Sequence, residues 1–186
     1  MMQNDNSPIC KSQTAPTPLE VERKYLVHRL PDAVADLQGI HIVQGYLAVE
    51  NGGSEVRLRD KAGNCFLTVK NGSGPIRGEG EIAISREQFT TIWGFTQNRR
   101  VIKDRYRIPV SDGVIVDLDL YHDRHAGLMT AEVEFTSTVA CQTFTPPEWF
   151  GREVTWDEGF HNRNLALHGM PSVVQAAANP APASCC

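Results

Sequence analysis

Apolar and polar residues alternate with a period of two through most of the chain, and turn-forming residues end each run. Successive side chains of a strand point to opposite faces, so this period predicts half-buried β-strands. The eight runs that fit are 19–27, 41–49, 54–60, 65–70, 76–84, 99–110, 114–121 and 129–135. Most connections between them are short, which favours antiparallel neighbours.

Helical segments are predicted at 31–37, at 85–93 and near 157–167. The second has the clearest start, because Ser85 can cap the helix while Gln88, three residues on, completes a capping box. Both chain ends are polar or proline-punctuated, which predicts flexible tails at 1–18 and 170–186 around a single domain at 19–169. The predicted fold class is α+β, mainly β.

Charged residues share one face of almost every predicted strand, as Arg57 and Arg59 do opposite Val56 and Leu58. One interpretation is a solvated sheet face, on which each ion pair contributes well under about 1 kcal/mol. The other is that the charges face a shared cavity and the apolar faces lie under helices. Eight strands are enough to close a barrel, and closure removes exposed strand edges.

Composition narrows the class of protein. No stretch approaches the roughly 20 apolar residues of a membrane-spanning helix, so we expect no membrane partner. The formal net charge of −4 argues against nucleic-acid binding driven by overall charge. The 5 cysteines lack metal-ligand spacing and the start of the chain lacks a secretory pattern, which together indicate a reduced, cytoplasmic protein. Oligomeric state stays open.

A cavity lined by both positively and negatively charged side chains suits one kind of ligand, a small phosphate chain bound together with a hard divalent cation. Arginine and lysine neutralise phosphate oxygens, whereas aspartate and glutamate hold Mg²⁺ or Mn²⁺. Without such a ligand the cavity would crowd partly unpaired charges together, at a cost in stability. The charged faces therefore predict a small-molecule, polyanionic substrate and a divalent metal.

Short motifs follow one another in a fixed order: EVERK at 20–24, QGYL at 44–47, VRLR at 56–59, TVK at 68–70, RGEGE at 77–81, KDR at 103–105, DLY at 119–121 and AEVEF at 131–135. The first resembles the ExExK signature of the CYTH domain, the triphosphate tunnel metalloenzyme superfamily. That superfamily includes inorganic triphosphatases, thiamine triphosphatases and class IV adenylate cyclases. A closing segment at 149–155, with Asn162 and Asn164 after it, is similar to that of the short bacterial members.

The resemblance implies a closed, eight-stranded antiparallel β-barrel, a tunnel with flanking helices that binds triphosphate inside. By motif position, the implied phosphate-binding residues are Lys24, Arg57, Arg59, Lys70, Arg77, Lys103 and Arg105. The implied ligands of Mg²⁺ or Mn²⁺ are Glu20, Glu22, Glu79, Glu81, Asp119, Glu132 and Glu134, with Asp117 behind them.

The implied activity is metal-dependent hydrolysis of inorganic triphosphate to pyrophosphate and phosphate. Lys24 and Tyr46 form the implied catalytic pair, because a lysine flanked by cations can act as a base near neutral pH. Tyr46 has an alternative interpretation as an aromatic that fills the barrel.

The compact chain has no insertion that would build a pocket for an organic group, which favours inorganic triphosphate. Hydrolysis of thiamine or nucleoside triphosphate, adenylate cyclase activity and a non-catalytic polyphosphate- or nucleotide-binding module remain alternatives. Outside the motifs, we expect His122 and His125 to lie in solvent and Trp156 to pack in the core or against a helix.

Overall fold

The structure is a computed structural model that describes residues 21–50, 53–71, 78–111, 113–172 and 174. The predicted tail 1–18, most of the predicted tail 170–186, and the candidate site residues Glu20 and Arg77 lie outside the described residues. Within the described part, no helix is both long and apolar enough to cross a membrane.

The fold is one antiparallel sheet with a few short helices. Its strands are β1 Val21–Val27, β2 Ile40–Val49, β3 Glu55–Lys61, β4 Asn64–Asn71, β5 Gly78–Ile84, β6 Arg100–Ser111, β7 Val114–Tyr121, β8 Met129–Phe135 and β9 Phe150–Glu153. The helices are α1 Arg86–Trp93, α2 Thr138–Thr143 and α3 Asn162–His168, and 3₁₀ turns lie at Asp32–Asp36, Gly94–Thr96, Asp123–His125 and Glu158–Phe160. The mainly-β class is confirmed, and the eight predicted runs become β1 to β8.

The prediction of a closed eight-stranded barrel is wrong, because the sheet has 9 strands in the open order β5-β4-β3-β2-β6-β7-β8-β1-β9. The ninth strand, β9, pairs antiparallel with β1 through Tyr25 and Glu153. It therefore occupies the edge of β1 that β5 would need in order to close a barrel. Among the described residues, β5 and β9 are the two ends of the sheet.

The sheet buries its apolar face under the short helices and connections. One cluster on this face includes Leu118, Val133 and Phe135, with Phe144 and Trp149 packed against it. Another brings Phe89 and Trp93 of α1 onto β3 and β4 at Leu58 and Cys65. The capping box predicted for α1 is confirmed, since the Gln88 amide N–H donates to Ser85 Oγ and the Ser85 N–H donates to Gln88 Oε1.

A third cluster lies on the opposite face and shows that the sheet curls. Tyr46 of β2 and Tyr121 of β7 meet Val154, which follows β9, together with Phe160 and Leu165 from the α3 region. Strands far apart in the sheet order thus contribute to one cluster, as the twist of a long antiparallel sheet allows. The α3 region packs against β2 and β6 on the inner side of the resulting trough.

Candidate functional site

Strand register places the predicted site residues of the described part of the chain on one face, the inner face of the trough. Residues paired directly across antiparallel strands point to the same side of the sheet. Lys24 pairs with Glu132, Arg105 with Asp119, and Arg57 with both Tyr46 and Thr68. We call this surface the charged face; it comprises Glu22, Lys24, Gln44, Tyr46, Glu55, Arg57, Arg59, Lys70, Glu79, Glu81, Lys103, Arg105, Asp117, Asp119, Glu132 and Glu134.

Arg105 joins three carboxylates at the centre of the charged face. Its Nε and Nη2 donate to the two oxygens of Asp119, each at 2.6 Å. Its Nη1 also donates to Asp117 Oδ2 at 2.7 Å and its Nη2 to Glu132 Oε2 at 2.6 Å. A guanidinium used in this bidentate way is fixed in position as well as in charge.

Two lysines complete this central cluster. Lys103 Nζ donates to Asp119 Oδ2 at 2.5 Å, and Lys24 Nζ donates to Glu132 Oε1 at 2.7 Å. Lys24, Lys103 and Asp119 are all buried. Each of these cations therefore has a carboxylate partner, and any incoming anion must compete with that partner for it.

The cluster shifts the pKa values of its members. Burial alone would raise the pKa of Glu132, but Lys24, Lys103 and Arg105 outweigh it and hold the pKa well below its usual range. Burial alone would likewise lower the pKa of Lys24, but the charge of Glu132 and its hydrogen bond raise it instead. The expectation that neighbouring cations disfavour the ammonium form of Lys24 does not describe this environment, in which a carboxylate is its direct partner.

The β3–β5 side of the charged face carries a second, looser cluster. Arg57 lies 3.4 Å from both Glu55 Oε1 and Glu79 Oε1, and Lys70 Nζ lies 3.0 Å from Glu79 Oε2. The Nε of Arg57 is buried and has no hydrogen-bond partner. Nearby, Thr68 donates to Glu81 Oε2 at 2.7 Å. These longer contacts leave Arg57 with unused donor capacity that faces the trough.

Two residues of the charged face were not proposed as site residues from the sequence. Glu55 is buried beside Arg57, and its place two residues before Arg57 could have revealed its shared face. Gln44 is buried between Arg59 and Tyr46: its Oε1 accepts from Arg59 Nε at 3.0 Å, and its Nε2 donates to the Tyr46 hydroxyl at 2.6 Å. Gln44 begins the QGYL motif, and its place two residues before Tyr46 could have revealed its shared face.

Carboxylates crowd together where β1 meets β8. Glu22 and Glu134 are direct cross-strand partners, and like charges in that position repel. Desolvation and the charges of Glu132 and Glu134 raise the pKa of Glu22. A bound cation would relieve this repulsion, and carboxylate oxygens are the ligands that Mg²⁺ and Mn²⁺ prefer.

The donor chemistry of these carboxylates therefore fits a hard divalent cation. Their present arrangement does not form a ready-made cage, since the described residues contain no group of 3 or more His, Cys, Asp or Glu side chains placed to hold one ion. Asp119 and Glu132 are instead bound by Lys24, Lys103 and Arg105. These carboxylates would have to turn from the lysines and Arg105 in order to ligate a cation.

Comparison with known proteins found similar sequences and structures, whereas no protein-family model matches the chain. A protein of Nitrosomonas europaea named inorganic triphosphatase is 43% identical over 148 residues, which is 80% of this chain and 97% of that protein. A protein of Acetivibrio thermocellus with the same name is 34% identical over 149 residues, covering 78% and 92%. A crystal structure described as an inorganic triphosphatase superposes with a TM-score of 0.68 at 39% identity, covering 82% of this chain and 97% of that one.

Proposed function

The chain belongs to the triphosphate tunnel metalloenzyme family, and from this membership we propose that it hydrolyses inorganic triphosphate to pyrophosphate and phosphate. The two relatives named inorganic triphosphatase support the choice of substrate. The observation that carries the proposal is the charged face itself. There the strand register gathers the cations that would bind phosphate oxygens, namely Lys24, Arg57, Arg59, Lys70, Lys103 and Arg105.

Substrate binding would replace carboxylate partners by phosphate oxygens. Arg57 has an unpaired Nε and only long contacts to Glu55 and Glu79, so it can receive a phosphate with little loss. Arg59 is held by a neutral amide, and no carboxylate has to leave it. Lys70, Lys103 and Arg105 would exchange carboxylates for phosphate oxygens of similar geometry.

The carboxylates of the charged face suit a divalent metal. Asp119 and Glu132, which this exchange releases, would hold Mg²⁺ or Mn²⁺ together with Glu22 and Glu134, and Glu20, Glu79 and Glu81 remain further proposed ligands. When bound, the metal would neutralise phosphate charge and act as a Lewis acid.

The chain's own groups would then orient the reacting atoms and take up the proton of the attacking water. Arg105 and Lys103 would face the charge that develops on the phosphoryl oxygens during in-line attack by water. Lys24 is held as an ammonium by Glu132. After Glu132 turns away, Lys24 would first lose a proton to solvent, and its neutral amine would then accept a proton from the attacking water. Burial raises the pKa of Tyr46, so we propose that this phenol donates a hydrogen bond to a substrate oxygen.

The test is phosphate release from inorganic triphosphate, thiamine triphosphate and ATP, measured side by side with Mg²⁺, with Mn²⁺ and with a chelator. We expect metal-dependent release, with the highest kcat/KM for inorganic triphosphate. Equal or faster release from thiamine triphosphate or ATP would contradict the proposed specificity. An absence of release from inorganic triphosphate with both metals would overturn the proposed function.

Cysteine usage supports a cytoplasmic location, which we also propose. Cys65 and Cys141 are unpaired thiols in the described part of the chain. Free thiols are usual in a reducing compartment.

A further inference from the structure

The side chain of Gln44 has only one chemically possible orientation between its neighbours. The guanidinium of Arg59 has hydrogen-bond donors and no acceptor, so it must contact Oε1 of the amide, which it does at 3.0 Å from Nε. The amide nitrogen then faces Tyr46, and the Nε2–OH distance is 2.6 Å. Arg59 therefore fixes the orientation of the Gln44 amide, so that its nitrogen faces the Tyr46 hydroxyl.

This orientation determines the hydrogen bonding of the Tyr46 hydroxyl. The amide nitrogen of Gln44 can only donate, so the phenolic oxygen accepts and its proton must point elsewhere. Gln44 is 2% exposed and Tyr46 is 1% exposed, so bulk water does not compete for this contact. The charged groups that influence the Tyr46 hydroxyl are Glu55, Arg57 and Arg59. An anion bound by the two arginines would bring acceptor oxygens to the same region.

We propose that Gln44 is a positioning residue of this site, whose amide, oriented by Arg59, turns the Tyr46 hydroxyl so that its proton is offered to a phosphate oxygen of the substrate. The inference rests on the proposed function and adds a residue to it. Gln44 acts through Tyr46 and Arg59 and touches no reacting atom. It also links phosphate binding to proton donation, because one amide contacts a binding cation and a donor hydroxyl.

A double-mutant cycle between Gln44 and Tyr46 tests this relay. Gln44→Met removes both hydrogen bonds of the amide at similar volume, and Gln44→Glu keeps an acceptor for Arg59 but cannot donate to Tyr46. Both variants lose the hydrogen bond to Tyr46, and this loss is expected to lower kcat by about tenfold. Once Tyr46→Phe has removed the hydroxyl, the same Gln44 changes should lower kcat by less than about twofold.

Two controls accompany the cycle. Gln97→Glu makes the same change of charge at an exposed position and should leave kcat unchanged. Thermal unfolding of each variant reports whether it folds, and if Gln44→Met does not fold, the cycle is completed with Gln44→Glu. Equal losses of kcat in both Tyr46 backgrounds would overturn the inference, as would an unchanged kcat in Tyr46→Phe.

A spectroscopic readout tests the relay without activity. In ¹H–¹⁵N spectra of the full chain, the Gln44 side-chain amide pair is identified by its absence in Gln44→Met. Tyr46→Phe should shift that pair, because its acceptor oxygen is gone. An unmoved pair would overturn the relay. If the wild type does not hydrolyse inorganic triphosphate, the proposed function is overturned instead. The spectra would still show whether the Gln44 amide is hydrogen-bonded to Tyr46.

Discussion

Glu132 joins two cations of the central cluster, because it accepts hydrogen bonds from both Lys24 and Arg105. Glu132→Gln keeps the shape but removes the charge that holds Lys24 as an ammonium and would ligate a metal. We expect kcat for inorganic triphosphate to fall by at least about 100-fold in a phosphate-release assay. Glu153→Gln, which changes a glutamate paired with Arg23, is the matched control. Wild-type turnover in Glu132→Gln would contradict the proposed site.

Arg57 should contribute mainly to binding, because it has unused donor capacity and no tight carboxylate partner. Arg57→Ala is expected to raise KM for inorganic triphosphate by about tenfold or more and to lower kcat much less. Steady-state kinetics with Mg²⁺ separates the two parameters. The control is Arg152→Ala, a half-exposed arginine paired with Asp157. A fall in kcat at constant KM would assign Arg57 to turnover instead.

Asp104 should make the fold acid-sensitive. Partial burial alone would raise its pKa, but hydrogen bonds from His41 at 2.7 Å and His122 at 2.9 Å lower it. A carboxyl whose pKa is lower in the folded state stabilises that state above its unfolded pKa of about 3.9, and this stabilisation is lost as the pH falls through the folded pKa.

Asp104→Asn should therefore lower the free energy of unfolding by about 1 kcal/mol at pH near 6, and the difference should shrink as the pH falls below about 4. Urea unfolding over a pH series from about 6 downwards measures it. Asp36→Asn, at an exposed position, should show no such difference. A difference that stays constant as the pH falls below about 4 would contradict the argument.

Which residues share the charged face could be predicted from the sequence, but their partners could not. Alternation placed Arg57 and Arg59 on one face, and the register of β3 confirms it. The expectation that His125 lies in solvent is wrong, since it is 1% exposed and its ring contacts the Leu165 carbonyl oxygen at 2.7 Å. Trp156, expected in the core, is 92% exposed. The position of His125 depends on how the α3 region packs, which local periodicity does not record.

At the scale of elements, those with a strong local signal were predicted and those that depend on packing were not. Long alternating runs gave β1 to β8, and the capping box gave α1. The predicted helix at 31–37 is a 3₁₀ turn. The segment that forms β9 has four residues, Phe-Gly-Arg-Glu, without alternation, and it becomes a strand because β1 offers it an open edge. α2 is similarly short, with six residues.

Gly45 lets the end of α1 and the turn after it lie directly on β2. A Cβ atom there would come within 2.6 Å of Thr96 and 2.8 Å of Trp93. Gly45→Ala is therefore expected to cost about 1–3 kcal/mol in the free energy of unfolding. Gly80→Ala is the control, because nothing lies within 4 Å of the position its Cβ would take. Equal stability of the two variants in chemical denaturation would show that Thr96 and Trp93 can move away from the added Cβ without loss of stability.

At the scale of the whole molecule, the open sheet could not be deduced from the strands. The period of two assigns faces, whereas closure depends on which strand takes the free edge of β1, and β9 takes it. The family resemblance led to the same error of closure, although it named the family correctly.

The molecule carries a net charge of −4 and yet is proposed to bind a polyanion. Attraction must therefore come from the local field of the charged face, which salt screens. We expect KM for inorganic triphosphate to rise several-fold between about 0.05 M and about 0.5 M NaCl at fixed Mg²⁺. The arginine and lysine variants of the site should show a weaker dependence than the wild type. A KM that is independent of salt would argue against electrostatic capture.

The pairing of β1 with β8 has a consequence for biosynthesis. Lys24 and Glu132 are 108 residues apart in sequence, and β9 reaches β1 from still further along the chain. Loops of this length close late, because the chain loses the entropy of loop closure before the distant contacts that compensate for it have formed. A ribosome-bound chain therefore holds β1 without a partner until β8 has emerged. Hydrolytic activity would then appear only after β8 has been synthesised. A chain that ends before β8 would contain the phosphate-binding arginines of β3 but would lack Glu132 and could not form the central cluster.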